Sequence, residues 1–145
     1  MRRINGFGWW ALLGLALNFA GGPAIADVVP VVSTKSVVTT LTKAQLTAIF
    51  LGQLSRFPTG SLAMPIDQTE GSAIRDEFYA KFAGKSATQL KAFWSKIIFT
   101  GRGRPPIEVS SDIEMKKRIR ENPAAIGYID QTMVDDSVKV VLQPL

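Results

Sequence analysis

Three short polar signatures divide this chain more firmly than any other feature. Thr42 with Gln45, Ser86 with Gln89 and Ser111 with Glu114 each place a hydroxyl three residues before a Gln or Glu. In a capping box the hydroxyl satisfies a free N–H of the first helical turn, and the Gln or Glu reaches back to the cap. Helices are therefore predicted to begin after each of these residues. Leu41 and Leu46 add a hydrophobic staple to the first, Leu46, Ile49 and Phe50 share its inner face, and Gly52 closes it as a left-handed cap. Another helix is predicted from Ser72 to Phe82, with Ile74, Phe78 and Phe82 four apart and a stop at Gly84. The helix after Ser86 carries a wide apolar face of Leu90, Phe93, Trp94, Ile97 and Ile98, and Gly101 follows its end. The helix after Ser111 ends before Asn122-Pro123.

β-rich runs lie between these helices. Val28 to Ser33 contains Pro30, whose missing N–H predicts an edge strand or a strand with a break. Phe57 to Gly60 reads as a turn, and Ser61 to Ile66 as a strand with Leu62, Met64 and Ile66 alternating. Asp67 to Gly71 reads as a polar loop, and Arg102 to Pro106 as a basic one. Ile126 to Ile129 and Val138 to Leu142 are two further strands, the latter after an Asp135-Asp136 turn. The order is strand, helix, strand, helix, helix, helix, strand, strand. That order predicts an α/β sheet with helices on its faces.

The first 26 residues read as an address rather than as structure. Arg2 and Arg3 precede an apolar run from Trp9 to Ala20, and Ala24-Ile25-Ala26 offers small residues at a cleavage site. This is the pattern of a secretory signal cleaved after Ala26, leaving one domain over residues 27–145. The run is shorter than the roughly 20 residues of a membrane span, so no span is expected after cleavage. A secreted chain without cysteine points to a bacterial envelope compartment, the periplasm.

Composition narrows the chemistry. The chain has no histidine and no cysteine, which removes the commonest general base, thiolate metal sites and any Ser-His-Asp triad. It therefore reads as non-enzymatic, with no metal and no cofactor. Without its leader it keeps fifteen Lys and Arg against twelve Asp and Glu. A net charge of +3 suits small anions and is too weak to argue for nucleic acid.

The best candidate site is the junction Asp67-Gln68-Thr69-Glu70-Gly71-Ser72, which runs from a strand into a helix. Such junctions present free backbone N–H groups and the positive end of a helix dipole, a ready site for an anion. Gly71 permits close backbone approach and Ser72 offers a hydroxyl; Gln68 and Thr69 add neutral donors, and Arg75 lies one turn inside. The plainer reading is that Ser72 caps the helix and Gly71 serves the turn. The Lys116, Lys117, Arg118, Arg120 run reads as a solvated face or as a partner surface.

The stretches LTKAQLTAIFLGQLSRFPTGS, MPIDQTEGSAIRDEFYAKFAGKSATQLKAFWSKIIFTGRGRPP and NPAAIGYID, in that order, resemble the short periplasmic phosphate-binding-protein-like family. The resemblance covers nearly all of residues 27–145. It implies one lobe of a type 2 periplasmic binding protein-like fold, with a central mixed sheet flanked by helices. It also implies a phosphate or similar oxyanion ligand and an envelope transport protein as partner. In full-length members the matching turn reads Arg-x-Asp-Gly-Ser-Gly-Thr and grips phosphate. Here Gln68 stands in the arginine's place, Glu70, Gly71 and Ser72 follow the Asp-Gly-Ser part, and Ala73 and Ile74 replace Gly-Thr. The implied ligand residues are Gln68, Thr69, Gly71 and Ser72, with Arg75 in the lost arginine's stead. The alternative is an envelope interaction module that kept the lobe and lost the solute.

Overall fold

The structure, a computed structural model, describes residues 27–143. The leader expected over residues 1–26 lies outside them. In chain order the elements are β1 (Val28–Ser33), α1 (Lys43–Phe50), β2 (Met64–Gln68), α2 (Ala73–Ala83) and α3 (Ala87–Phe99). β3 (Ile107–Val109), α4 (Asp112–Glu121), β4 (Ala125–Asp130), a 3-10 turn at Gln131–Met133 and β5 (Val138–Val140) follow.

The five strands form one mixed sheet in the order β3-β2-β4-β1-β5. β2 runs parallel to β3 and β4, whereas β1 is antiparallel to both of its neighbours. Helices cover both faces. Leu46, Ile49 and Phe50 of α1, Phe78, Tyr79 and Phe82 of α2, and Leu90 and Trp94 of α3 pack on Val28, Val32, Ile126 and Tyr128. Met115 and Ile119 of α4 pack on the opposite face against Val31, Ile66, Ala125 and Ile129. Successive residues of β1 and β4 thus enter different cores. This is why both strands are apolar throughout instead of alternating.

The helix signals hold in local detail. Thr42 and Ser86 form reciprocal capping boxes with Gln45 and Gln89. Ser111 caps α4, but Glu114 bonds the N–H and hydroxyl of Ser110 instead of closing the box on Ser111. Ser72 caps α2, and Gly84 ends it in the left-handed conformation.

Four expectations are corrected. First, β1 is not an edge strand: it lies between β4 and β5. The Pro30 carbonyl accepts from Val141 N, so the missing donor faces the end of β5, and the Val141 carbonyl accepts from Leu41 N instead. The ladder breaks on one side only. Second, the strand expected at Ser61 to Ile66 runs from Met64 to Gln68. Leu62 and Met64 are exposed, and Asp67 and Gln68, read as loop, are its buried end. Third, β3 was unforeseen, being three residues with Glu108 at its centre. Fourth, Ile98 does not join the α3 core face: it is 55% exposed. No helix among the described residues is long and apolar enough to cross a membrane.

Candidate functional site

β2 and β3 are parallel, so α2 and α4 both begin at the carboxyl edge of the sheet. The chain leaves β2 through α2 and α3 on one face and leaves β3 through α4 on the other. Ligand crevices of α/β sheets form where the connections part in this way. The end of β2 holds both helix starts together. Gln68 Nε2 donates to Asp112 Oδ1 at the start of α4, and Gln68 Oε1 accepts from the Ser72 hydroxyl at 3.2 Å. Asp112 Oδ2 accepts from Asp130 N at 3.1 Å, tying in the end of β4.

Behind this edge lies a buried polar knot. Asp67 is 1% exposed and accepts from the hydroxyls of Tyr79, at 2.8 Å, and Tyr128. Its Oδ1 also accepts from Gln68 N. Arg75, 7% exposed, brings Nε within 3.3 Å of Asp67 Oδ2, an ion pair without hydrogen-bond alignment, and stands over the Tyr79 ring. Phe78 stacks on Tyr128 at 4.0 Å, and Phe50 meets both edge-on. Burial alone lowers the Arg75 pKa, but the Asp67 carboxylate outweighs it and holds the guanidinium charged above its usual range. Burial, then the Asp67 charge, pushes both tyrosines well above the ordinary phenol range.

These tyrosines give the fold an alkaline limit. Raised folded-state values mean that the folded chain holds protons which the unfolded chain releases above about pH 10. Their stabilisation is therefore full below about pH 10 and is lost as pH rises toward the folded values. The expected limiting slope is about 1.4 kcal/mol per pH unit for each tyrosine. Urea unfolding between pH 9 and 11 checks this: Tyr79→Phe halves the tyrosine part of the slope. An unchanged slope would mean that the hydroxyls titrate freely in the fold.

The residues singled out in the sequence fall into two groups. Thr69, Gly71 and Ser72 lie at the open mouth of α2. Thr69 N donates to Val109 O, Ser72 N donates to Thr69 O, and Gly71 has φ +91° with open space where a side chain would stand. Among the described residues the backbone N–H groups of Gly71, Ala73 and Ile74 meet no acceptor. Ser72 Oγ accepts from Arg75 N at 3.4 Å. Gln68 and Arg75, in contrast, are turned inward. Both ends of the Gln68 amide are engaged by Asp112 and Ser72, and the Arg75 guanidinium faces Asp67. Glu70 stands outside, 3.4 Å from exposed Lys91, a pair worth little in water.

Sequence reasoning placed Asp67 in the junction but not as a buried acceptor, and it missed Tyr79, Tyr128 and Asp112 as parts of this edge. The one available signal was Tyr128, a lone hydroxyl in the apolar strand AIGYI. Chemically the edge offers backbone donors, one hydroxyl and a dipole. Among the described residues no group of three His, Cys, Asp or Glu is placed to hold a metal ion.

Comparison with solved structures places this architecture. An ABC-type phosphate transport receptor from Vibrio cholerae matches with a TM-score of 0.63 and 23% identity over 80% of this chain and 45% of its own. The chain has the fold of a single phosphate-binding-protein lobe. A protein from Clostridium perfringens, solved with bound phosphate and named as a phosphate ABC transporter substrate-binding protein, matches at 0.61 and 22% identity. It is covered over 46% of its length and this chain over 81%. PstS from Borrelia burgdorferi matches at 0.57 and 15%, over 81% of this chain and 47% of its own. The chain therefore spans less than half the length of these proteins. No family model and no curated protein matches the sequence.

Proposed function

We propose that this chain is a non-enzymatic periplasmic protein that binds phosphate or a similar tetrahedral oxyanion at the start of α2, in connection with phosphate transport. The observation that carries the reading is the trio of unengaged N–H groups at Gly71, Ala73 and Ile74, beside the Ser72 hydroxyl. Convergent backbone donors at the positive end of a helix favour an oxyanion. The likeness to a phosphate transport receptor and to a protein solved with bound phosphate, and the leader pattern of residues 1–26, support the same reading.

The proposed site is half a site. The described residues line it from one lobe, and Arg75 is already balanced by Asp67. Affinity near millimolar, about −4 kcal/mol, is what a few open donors supply. An envelope transport protein is the proposed partner that completes it.

Amide NMR during a phosphate titration at fixed ionic strength tests this. The Gly71, Ala73 and Ile74 signals should move in the low millimolar range, sulfate should compete, and chloride should not. Ser72→Ala should weaken binding by about 1–2 kcal/mol, the Ser72 hydroxyl turning from Gln68 Oε1 to the charged ligand. The same change removes a helix cap worth about 1 kcal/mol, so unfolding is measured beside it. Silence of all three amides at tens of millimolar would refute solute binding. It would favour the second reading, an interaction module, for which the inward commitment of Gln68 and Arg75 is the specific observation.

A further inference from the structure

The charge of this chain is segregated in a way that neither core nor the α2 edge uses. From Phe78 to Ile107 there are six cations, Lys81, Lys85, Lys91, Lys96, Arg102 and Arg104, and no carboxylate. Outside that stretch residues 27–145 hold nine cations against twelve acids. Three of the six are spoken for: Lys81 pairs with Asp27, Lys91 with Glu70, and Lys85 lies over the Phe93 ring. Lys96, Arg102 and Arg104 have no ion-pair partner among the described residues.

Lys96 lies in the last turn of α3 and Arg102 and Arg104 in the loop that follows, with Arg104 also lining the cleft beside Trp94; at this corner Ile98 is 55% exposed and Phe99 is 92% exposed. The corner is firmly built. Gly101, at φ +66°, donates its N–H to Ile98 O, and Arg102 N donates to Ile97 O, the paired bonds of a Schellman motif. The Thr100 hydroxyl closes on Lys96 O at 2.8 Å. The chain then folds back, bringing Gly103 beside Ile97. The turn thus leaves two apolar side chains exposed in a segment whose three cations have no ion-pair partner among the described residues.

We propose that this corner docks the protein on an anionic lipid surface, with Phe99 and Ile98 entering the headgroup boundary and Lys96, Arg102 and Arg104 meeting lipid phosphates. Protruding apolar tips with cations beside them suit a lipid interface, where the rings bury and the long stems of Lys and Arg reach the phosphates. A partner segment docking on this chain would lie in a groove. Neither cleft flanking α3 or α4 includes Ile98 or Phe99. Elsewhere the carboxylates outnumber the cations, and the α4 run of Lys116, Lys117, Arg118 and Arg120 stands beside Asp112, Glu114, Glu121 and Asp135, so the stretch without carboxylates around α3 is the one turned to the lipid.

Vesicle sedimentation tests the proposal. Residues 27–145 are used, because residues 28–141 supply both core clusters in full and the apolar leader would bind lipid by itself. Phosphatidylglycerol-rich vesicles should bind the protein, neutral phosphatidylcholine vesicles should bind it at least tenfold more weakly, and high salt should release it. Phe99→Ser should weaken binding about tenfold, as lost burial of an aromatic ring predicts. Arg102→Gln with Arg104→Gln should weaken it about thirtyfold. Lys117→Gln with Arg120→Gln, on α4, should leave it unchanged. All substituted positions are exposed, and matched thermal midpoints confirm folding. Equal loss from the α4 pair, no loss from the α3 variants, or binding to polyglutamate but not to vesicles would each overturn the lipid assignment.

Discussion

Replacing Asp67 with alanine is expected to destabilise the fold by about 3–5 kcal/mol, the usual cost of stripping one partner from a buried ion pair. Asp67 is the single acceptor shared by the Tyr79 and Tyr128 hydroxyls, and it balances buried Arg75. Its removal leaves a buried guanidinium without its countercharge and two phenol hydroxyls without their acceptor. The loss comes from orphaned groups and not from the strength of the pair, because desolvation offsets much of the attraction within an intact pair. Asp67→Ala with Arg75→Met should therefore be less destabilised than Asp67→Ala alone. Urea unfolding of the two variants checks this, and equal losses would show that Arg75 does not depend on Asp67. Because Asp67 stands directly before Gln68, which anchors Ser72 and Asp112, the single variant should also blunt the phosphate response of the Gly71 amide.

The second large effect lies on the opposite face. Gly127 sits in the middle of β4 directly beneath α4, and a Cβ built there would overlap Met115 Sδ and approach Ile119 Cδ1 to 3.2 Å. Both side chains are fully buried, so neither can swing into solvent. Gly127→Ala should cost about 1–3 kcal/mol through overpacking, and Gly127→Val more. Met115→Ala opens space at the same point. Combined with Gly127→Ala it should cost less than the sum of the two single changes, by at least 0.5 kcal/mol, the lower range of coupling for residues in contact. Additive losses would show that α4 shifts as a body instead of clashing at Met115. α4 also carries Asp112, so its displacement would loosen the carboxyl edge and link this core position to the candidate site.

The two positions also show where sequence reading stops. Thr42, Ser72 and Ser86 announced their helices because a cap is satisfied within a few residues, and Gly52 and Gly84 announced two ends for the same reason. The candidate anion edge was legible to the same extent: Gly71 and Ser72 stand at a helix start, as their local pattern says. Where the partner was remote, the reading failed. Asp67 looked like loop because it is charged, yet Tyr128, 61 residues away, makes it a strand end. Leu62 and Met64 alternate like a strand, yet β2 starts only at Met64, and both face solvent. Glu114 found Ser110 instead of completing its box, a choice between adjacent hydroxyls that spacing does not make.

By itself the sequence determined the helices, their ends, the α/β class and the absence of histidine and thiol chemistry, since each depends on neighbours in the chain or on composition alone. Only the tertiary structure decided the strand order, the burial of Asp67 and the inward turn of Arg75. It also decided that Pro30 is tolerated in an inner strand. Each of these depends on which distant group supplies the missing hydrogen bond or countercharge: Leu41 for the Val141 carbonyl opposite Pro30, and Asp67 for Arg75. A buried polar group must find its partner somewhere in space, and its sequence neighbours do not say where.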